Sequence, residues 1–173
     1  MNFQDTQLIG VLARAESTVS SLSSLLGGLV EKFAARGYSL YLVGGSVRDA
    51  LLGRLGNDLD FTTPARPEVV KEILDEWAET VWDTGIDFGT VSAAYKGQQI
   101  EITTFRSDSY DGQSRNPEVV YGDTLEGDLV RRDFKANAMA IELLADASFK
   151  FHDPLHGLHD IADRVLDTPD KPE

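Results

Sequence analysis

At 173 residues, with 42% hydrophobic and 26% charged side chains, the chain has the size and composition of one globular domain able to bury a sizeable core. No apolar run approaches the roughly 20 residues that span a bilayer, no secretory signal opens the chain, and the absence of cysteine excludes disulfides and thiolate metal sites, so a cytoplasmic, non-membrane protein is expected. The formal net charge of −13 argues against a self-sufficient nucleic-acid binder, which needs a basic surface. Either the chain handles no polynucleotide, or the basic surface belongs to another part of the protein.

In chain order, residues 5–37 read as helical, with a Ser-rich break near Ser20–Ser24 and glycines at 27 and 28. Leu22, Leu25, Leu26, Leu29, Val30 and Phe33 form a helical apolar stripe, and Gly37 is the expected stop. The apolar run 40–43 predicts a strand that enters Gly44-Gly45-Ser46-Val47-Arg48-Asp49, a tight turn followed by a helix closed at Gly53. A strand–glycine turn–helix N-terminus presents free backbone N–H groups that suit phosphate. Arg48 stands in the first helical turn, where a cation is unfavourable unless an anion is present, and Ser46 reads as a simple N-cap or a phosphate contact.

Asp58-Leu59-Asp60-Phe61 predicts a second strand, in which both carboxylates point to one face, as ligands of a single hard cation do. Without a cation, two like charges so placed repel. Pro64–Pro67 breaks the chain, and residues 68–79 have the pattern of an amphipathic helix carrying Val69, Ile73, Leu74 and Trp77. Strands are expected at 90–95 and 99–105, joined through Lys96-Gly97-Gln98 as a hairpin. Glu101, set between Ile100 and Ile102, is the candidate third carboxylate of two-metal phosphoryl chemistry; the plainer reading is an exposed edge residue. Residues 107–116 read as a polar loop or lid, 123–132 as a short helix, 134–144 as a helical turn running into a strand, and 152–173 as a short helix and tail. Arg131 and Arg132 can clamp phosphate oxygens or read a base edge, or simply end a solvated helix. His152-Asp153 and His159-Asp160 suggest a metal-dependent phosphohydrolase, but His156 is the one remaining histidine and completes no such set. No internal repeat is present.

The run Leu42 to Arg54, then Asp58-Leu59-Asp60-Phe61-Thr62-Thr63, Phe88-Gly89-Thr90-Val91, Glu101 to Arg106, Asp128 to Phe134, Asn137-Ala138-Met139-Ala140 and Asp153-Pro154 with Gly157 resembles the class II tRNA nucleotidyltransferase and bacterial poly(A) polymerase family. The resemblance extends in order from residue 38 to about 164. It implies an α/β (α+β) chain of the polymerase-β-like nucleotidyltransferase fold, a small mixed sheet with flanking helices. The implied organisation is an N-terminal helical segment at 1–37, a nucleotidyltransferase head at 38–164 and, at 165–173, the start of a linker into a neck domain. By the same similarity, Asp58 and Asp60 bind Mg²⁺, Gly45 and Arg48 contact the incoming CTP or ATP, and Arg132 and, more weakly, Asp133 help to hold it. The pattern of the residues themselves adds Glu101 as the third catalytic carboxylate and Gly44 and Ser46 to the nucleotide cradle. The implied activity is template-independent addition of CMP and AMP from CTP and ATP to the tRNA 3′ end.

Two departures from the family stand out. Lys135 occupies a position where the family has Thr. The acidic-Asp-x-x-Arg motif that selects C or A, and the body that grips tRNA, follow the head in this family and do not occur within these 173 residues, so the chain is expected to be a catalytic head whose tRNA contacts lie elsewhere. A poly(A) polymerase sharing all the head motifs, a nucleotidyltransferase of small molecules, and a catalytically silent nucleotide- or protein-binding domain are the alternatives; the Arg131-Arg132-Asp133-Phe134 run fits the second poorly, and intact Asp58 and Asp60 oppose the third. Oligomeric state is left open.

Overall fold

The computed structural model describes residues 3–107, 120–132 and 138–154. Its elements in chain order are α1 (Phe3–Ala35), β1 (Leu40–Val43), α2 (Gly45–Leu51), β2 (Asp58–Thr63), α3 (Pro67–Trp77), β3 (Thr80–Trp82), a 3₁₀ turn (Ile86–Phe88), β4 (Thr90–Tyr95), β5 (Gln98–Thr104), α4 (Leu125–Val130), β6 (Ala140–Leu143) and β7 (Phe149–His152).

The apolar stripe of α1 is realised as Val19, Leu22, Leu26, Leu29, Val30 and Phe33, all buried. The expected break near Ser20–Ser24 does not occur, and α1 is continuous. Two of its hydroxyls bond back within the helix, Thr18 Oγ1 to the Arg14 carbonyl at 2.9 Å and Ser21 Oγ to the Ser17 carbonyl at 3.3 Å, while Ser23 Oγ is buried without a partner among the described residues. Gly28 serves packing: a Cβ there would stand 3.4 Å from Trp77 Nε1, so the glycine lets α3 approach closely. The helix stops where expected. Gly37 takes φ 82°, its N–H donates to the Ala34 carbonyl at 2.9 Å, and the Tyr38 N–H donates to the Phe33 carbonyl at 2.9 Å, the paired bonds of a Schellman closure.

Seven strands form one mixed sheet in the order β3-β4-β5-β2-β1-β6-β7, in which β2 and β5 are parallel and every other neighbour is antiparallel. Leu40 and Leu42, Leu59 and Phe61, Val91 and Ala93, Ile100 and Ile102, and Ile141 and Leu143 share one apolar core with α1, α2 and α3. The alternate residues of the same strands face the other way. There only a small cluster of Val43, Leu129, Ala138 and Ala140, flanked by Tyr41 and Leu125, seats α4. The rest of that second face is mostly polar, with exposed Trp82 and half-buried Ala94 toward its β3–β4 edge, and it carries Asp58, Asp60 and Glu101.

The β4–β5 hairpin turns on two residues, Lys96 at φ 47° and Gly97 at φ 79°, the left-handed pair that matches strand twist; β5 therefore begins at Gln98, one residue earlier than expected. α3 ends at Trp77, two residues short of the expected 79, because the chain turns into the edge strand β3. The Glu79 carboxylate accepts the Lys96 N–H at 2.6 Å, and Trp77 stacks on Tyr95 at 4.0 Å between centroids. β7 is also a correction, since Phe149–His152 pairs with β6 ahead of the helix expected from 152. The greater part of the expected 107–116 loop, the start of the helical turn expected from 134, and most of the helix and tail expected over 152–173 lie outside the described residues.

Candidate active site

β1 delivers the chain to Gly44, whose φ of 65° and ψ of −142° belong to a region that side chains strongly disfavour. From there α2 starts at once, with the Val47 N–H donating to the Gly44 carbonyl at 3.1 Å. Gly45 follows without a positive φ. A Cβ on it would meet the Arg48 guanidinium at 3.4 Å, so Arg48 folds back over the glycine turn, half-exposed and 3.9 Å from Asp49.

Ser46 is buried, and its Oγ is committed to β2. It accepts the Asp60 N–H at 3.0 Å and lies 3.5 Å from the Asp58 carbonyl, to which it donates. The hydroxyl therefore pins the first turn of α2 between the two aspartates. Asp58 and Asp60 are exposed on either side of buried Leu59, on one face as their spacing requires. A Cβ at Gly44 would have Asp60 Oδ2 as its nearest neighbour, at 4.0 Å.

Glu101 stands opposite Asp60 in the parallel β2–β5 register. Partial burial pushes its carboxyl above the ordinary carboxylate value; the charge of Asp60, a hydrogen-bonding contact with that carboxylate and the charge of Asp58 push it further. The three acids therefore carry more negative charge than the chain neutralises. Among the described residues no three acidic or histidine side chains converge as a ready-made ligand set. The donor set is a carboxylate pair with a third carboxylate beside it, which fits Mg²⁺, an ion that keeps several waters and takes the rest of its shell from substrate phosphates.

Alongside, Thr62 Oγ1 donates to the Thr103 carbonyl at 2.9 Å, and the hydroxyls of Thr90 and Thr103 meet at 2.9 Å, so the polar face is already satisfied where it continues past the acids. Arg132 follows the end of α4, whose Leu129 shares a small apolar cluster with Val43, the residue before the glycine turn. It is three-quarters buried and donates through one terminal nitrogen to Asp128 Oδ2 at 3.0 Å. Asp133 and Lys135 lie outside the described residues.

Asp128 is the residue that reading the sequence for site residues missed. It is 1% exposed, and its second oxygen accepts the Arg106 backbone N–H at 2.8 Å. The available signal was the helical spacing of Asp128 to Arg131 and Arg132, three and four residues on. His152 gives no sign of a metal set: its Nε2 meets Glu142 at 3.1 Å, and its ring lies edge-on to Tyr41.

Residues 40–167 match the family described as the poly A polymerase head domain. The CCA-adding enzyme of Listeria innocua is 44% identical over 130 residues, which is 75% of this chain and 31% of that enzyme. Among solved structures, the Bacillus stearothermophilus CCA-adding enzyme in complex with CTP is 37% identical, with a TM-score of 0.64 over 80% of this chain and 31% of that one. A tRNA nucleotidyltransferase complexed with a primer tRNA and an incoming ATP analog is 29% identical, with a TM-score of 0.60 over 84% of this chain and 36% of that one. The chain thus spans about a third of the length of the relatives it matches. By its matched sequence and by its fold, the chain belongs to the poly A polymerase head domain family.

Proposed function

We propose that this chain is the catalytic head of a Mg²⁺-dependent CCA-adding tRNA nucleotidyltransferase, transferring CMP and AMP from CTP and ATP to the 3′ end of tRNA. The observation that carries the reading is the Ser46 staple. It fixes an exposed aspartate pair directly beside a glycine turn and Arg48, in a chain 44% identical to a CCA-adding enzyme. The names of the relatives favour tRNA over a poly(A) tail as the product.

In this reading the backbone of Gly44 and Gly45 and the guanidinium of Arg48 hold the triphosphate tail, while Arg132 and Asp133 hold the nucleoside end. Asp58 and Asp60 hold Mg²⁺, which supplies charge neutralisation for the transferring phosphoryl group. Glu101, whose carboxyl is pushed above the ordinary value by partial burial and by its acidic neighbours, stands beside that pair as the third carboxylate. Catalysis by these residues is chiefly positioning and electrostatics. Head residues 38–164 carry this site, with 1–37 a helical segment packed on it and 165–173 the start of a linker. At a net charge of −13 the chain offers little grip on a polyanion, so we assign most tRNA contacts, and the choice of C or A, to parts of the enzyme outside this chain. A cytoplasmic location goes with a tRNA substrate and a cysteine-free chain.

The test is calorimetric titration of the chain with CTP, ATP, GTP and UTP, with and without Mg²⁺, and with tRNA at low and moderate salt. Mg²⁺-dependent binding of all four nucleotides, abolished by Asp58→Asn or Asp60→Asn with the fold intact, is expected, together with no tRNA binding. Binding that ignores both substitutions refutes the site. Tight tRNA binding that strengthens at low salt refutes the division of labour.

A further inference from the structure

We infer that Asp128 is a positioning residue for Arg132, carrying the geometry of strand β5 to the guanidinium that meets the nucleotide; the inference rests on the nucleotidyltransferase reading above. Three arginines gather around this one carboxylate. The Arg106 guanidinium is turned away and donates to the Phe88 carbonyl. Arg131 Nε stands 3.7 Å from Asp128 Oδ1, beyond hydrogen-bond length. Arg132 alone of the three makes a side-chain hydrogen bond to Asp128, at 3.0 Å.

The two carboxylate oxygens are thus divided. Oδ1 is held by the main-chain N–H of Arg106 and Oδ2 by Arg132. The main-chain partner belongs to a rigid frame. Beyond β5, the Ser107 N–H donates to the Val120 carbonyl at 2.8 Å and the Gly122 N–H to the Phe105 carbonyl at 2.7 Å, so residues 105–107 and 120–122 pair just before α4. Thr124 then caps α4, its Oγ1 accepting the Gly127 N–H at 3.1 Å. The carboxylate plane is therefore set by the strand that carries Glu101, and the guanidinium inherits that orientation.

A buried carboxylate needs a partner, and a carboxylate serving burial alone would best take Arg132 in a two-point fork. Instead the contact uses a single terminal nitrogen. The Nε atoms of Arg106, Arg131 and Arg132 are all buried without a hydrogen-bond partner among the described residues, and of the three only Arg132 is also tied by its side chain to Asp128 through a hydrogen bond. One attachment point holds the guanidinium while its Nε stays uncommitted, which suits a group that must still meet a ligand. The excess positive charge of the cluster, three guanidiniums to one carboxylate, suits a ligand bearing phosphate.

The experiment compares the chain with its Asp128→Asn, Arg132→Lys and doubly substituted forms. Asparagine keeps an oxygen for the Arg106 N–H but presents an amide where Oδ2 accepted from Arg132. Arginine side-chain ¹⁵N NMR, with the Arg132 signals assigned by their loss in Arg132→Lys, should show restricted guanidinium rotation that becomes free in Asp128→Asn. Calorimetry with CTP and Mg²⁺ should show each single variant weakened about ten-fold, about 1.4 kcal/mol, and the double variant no weaker than the singles. A merely structural carboxylate would lower the melting temperature and give multiplying losses, about a hundred-fold in the double variant, which overturns the inference. So does an Arg132 guanidinium that rotates freely in the unaltered chain, whatever the nucleotide result. An unaltered chain with a restrained Arg132 but no CTP binding refutes the nucleotidyltransferase reading and, with it, the purpose assigned to the restraint. Should Asp128→Asn not fold, Arg131→Gln is introduced to reduce the unbalanced positive charge, and the same comparisons are made in that background.

Discussion

Replacing Gly44 and Gly45 by alanine, one at a time, separates backbone strain from ligand geometry at the turn. Gly44 has φ 65° and ψ −142°, and the nearest atom to an added Cβ is Asp60 Oδ2 at 4.0 Å, an ordinary contact. Gly44→Ala therefore meets no collision, and its cost is that of holding a side-chain-bearing residue in a glycine region, roughly 1–3 kcal/mol. At about 2–4 °C per kcal/mol for a chain of this size, the melting temperature should fall by about 2–12 °C. Gly45 has no positive φ, and its added Cβ would stand 3.4 Å from a terminal nitrogen of Arg48, the mobile end of a long side chain. Gly45→Ala should stay within roughly 0.5 kcal/mol of the parent, since the move of Arg48 offsets a gain in helix propensity. The same move should weaken CTP, because Arg48 is the group displaced. Thermal melts and CTP calorimetry on both variants give the expected crossing: Gly44→Ala loses stability first, Gly45→Ala loses affinity first. A Gly44→Ala chain that melts within a degree of the parent, or a Gly45→Ala chain that is the less stable of the two, refutes this account of the turn.

Ser46→Ala deletes the acceptor of the Asp60 N–H and should cost about 1 kcal/mol, read as a shift in the urea midpoint at unchanged slope; no shift would mean the staple bears nothing. Glu101→Gln should raise the melting temperature at pH 7 when no divalent cation is present. The raised carboxyl means the folded chain binds the proton more tightly than the unfolded one, so ionised Glu101 disfavours the fold above its folded pKa. That cost disappears as pH falls below the ordinary carboxylate value, so the two melting curves should converge toward about pH 4; a gap that widens on acidification contradicts the sign.

Legibility in the sequence followed how local each determinant was. The exposed-buried alternation through Asp58, Leu59 and Asp60 is a property of one strand, and Lys96-Gly97 and Gly37 are demands of single turns, so these features were readable. The break expected in α1 failed because serine and glycine propensities are weak against tertiary packing: Ser21 found a carbonyl one turn back, Ser23 is buried even without a partner among the described residues, and Gly28 lies against Trp77. β3 and β7 were missed because they are short edge strands with half-exposed or exposed side chains, their pairing supplied by neighbours distant in sequence or by the tight turn at Ala147. Asp128 was passed over because an acid preceding two arginines reads as a solvated helix end. The backbone N–H of Arg106 that its carboxylate accepts comes from a segment distant in sequence, and the pattern of its own helix does not reveal it.

The departures from local preference are concentrated about a single face of the sheet. Gly44 holds a conformation that only glycine adopts readily, Asp58, Asp60 and Glu101 repel one another, and buried Asp128 is shared among Arg131, Arg132 and the Arg106 N–H. The opposite face carries fewer such costs: α1, α2, α3 and the five central and flanking strands join there in one apolar core, and the unpartnered Ser23 Oγ of α1 is the exception among the described residues. A fold indifferent to function would have no reason to segregate its costs so, because strain and repulsion distributed at random would fall on both faces. Each of the three costs is also relieved by the same kind of visitor. A polyphosphate with its cation would engage the backbone at the glycine turn, neutralise the carboxylates and satisfy the uncommitted Nε of Arg132. The apolar face supplies the stability that lets the polar face remain unsatisfied until that ligand arrives.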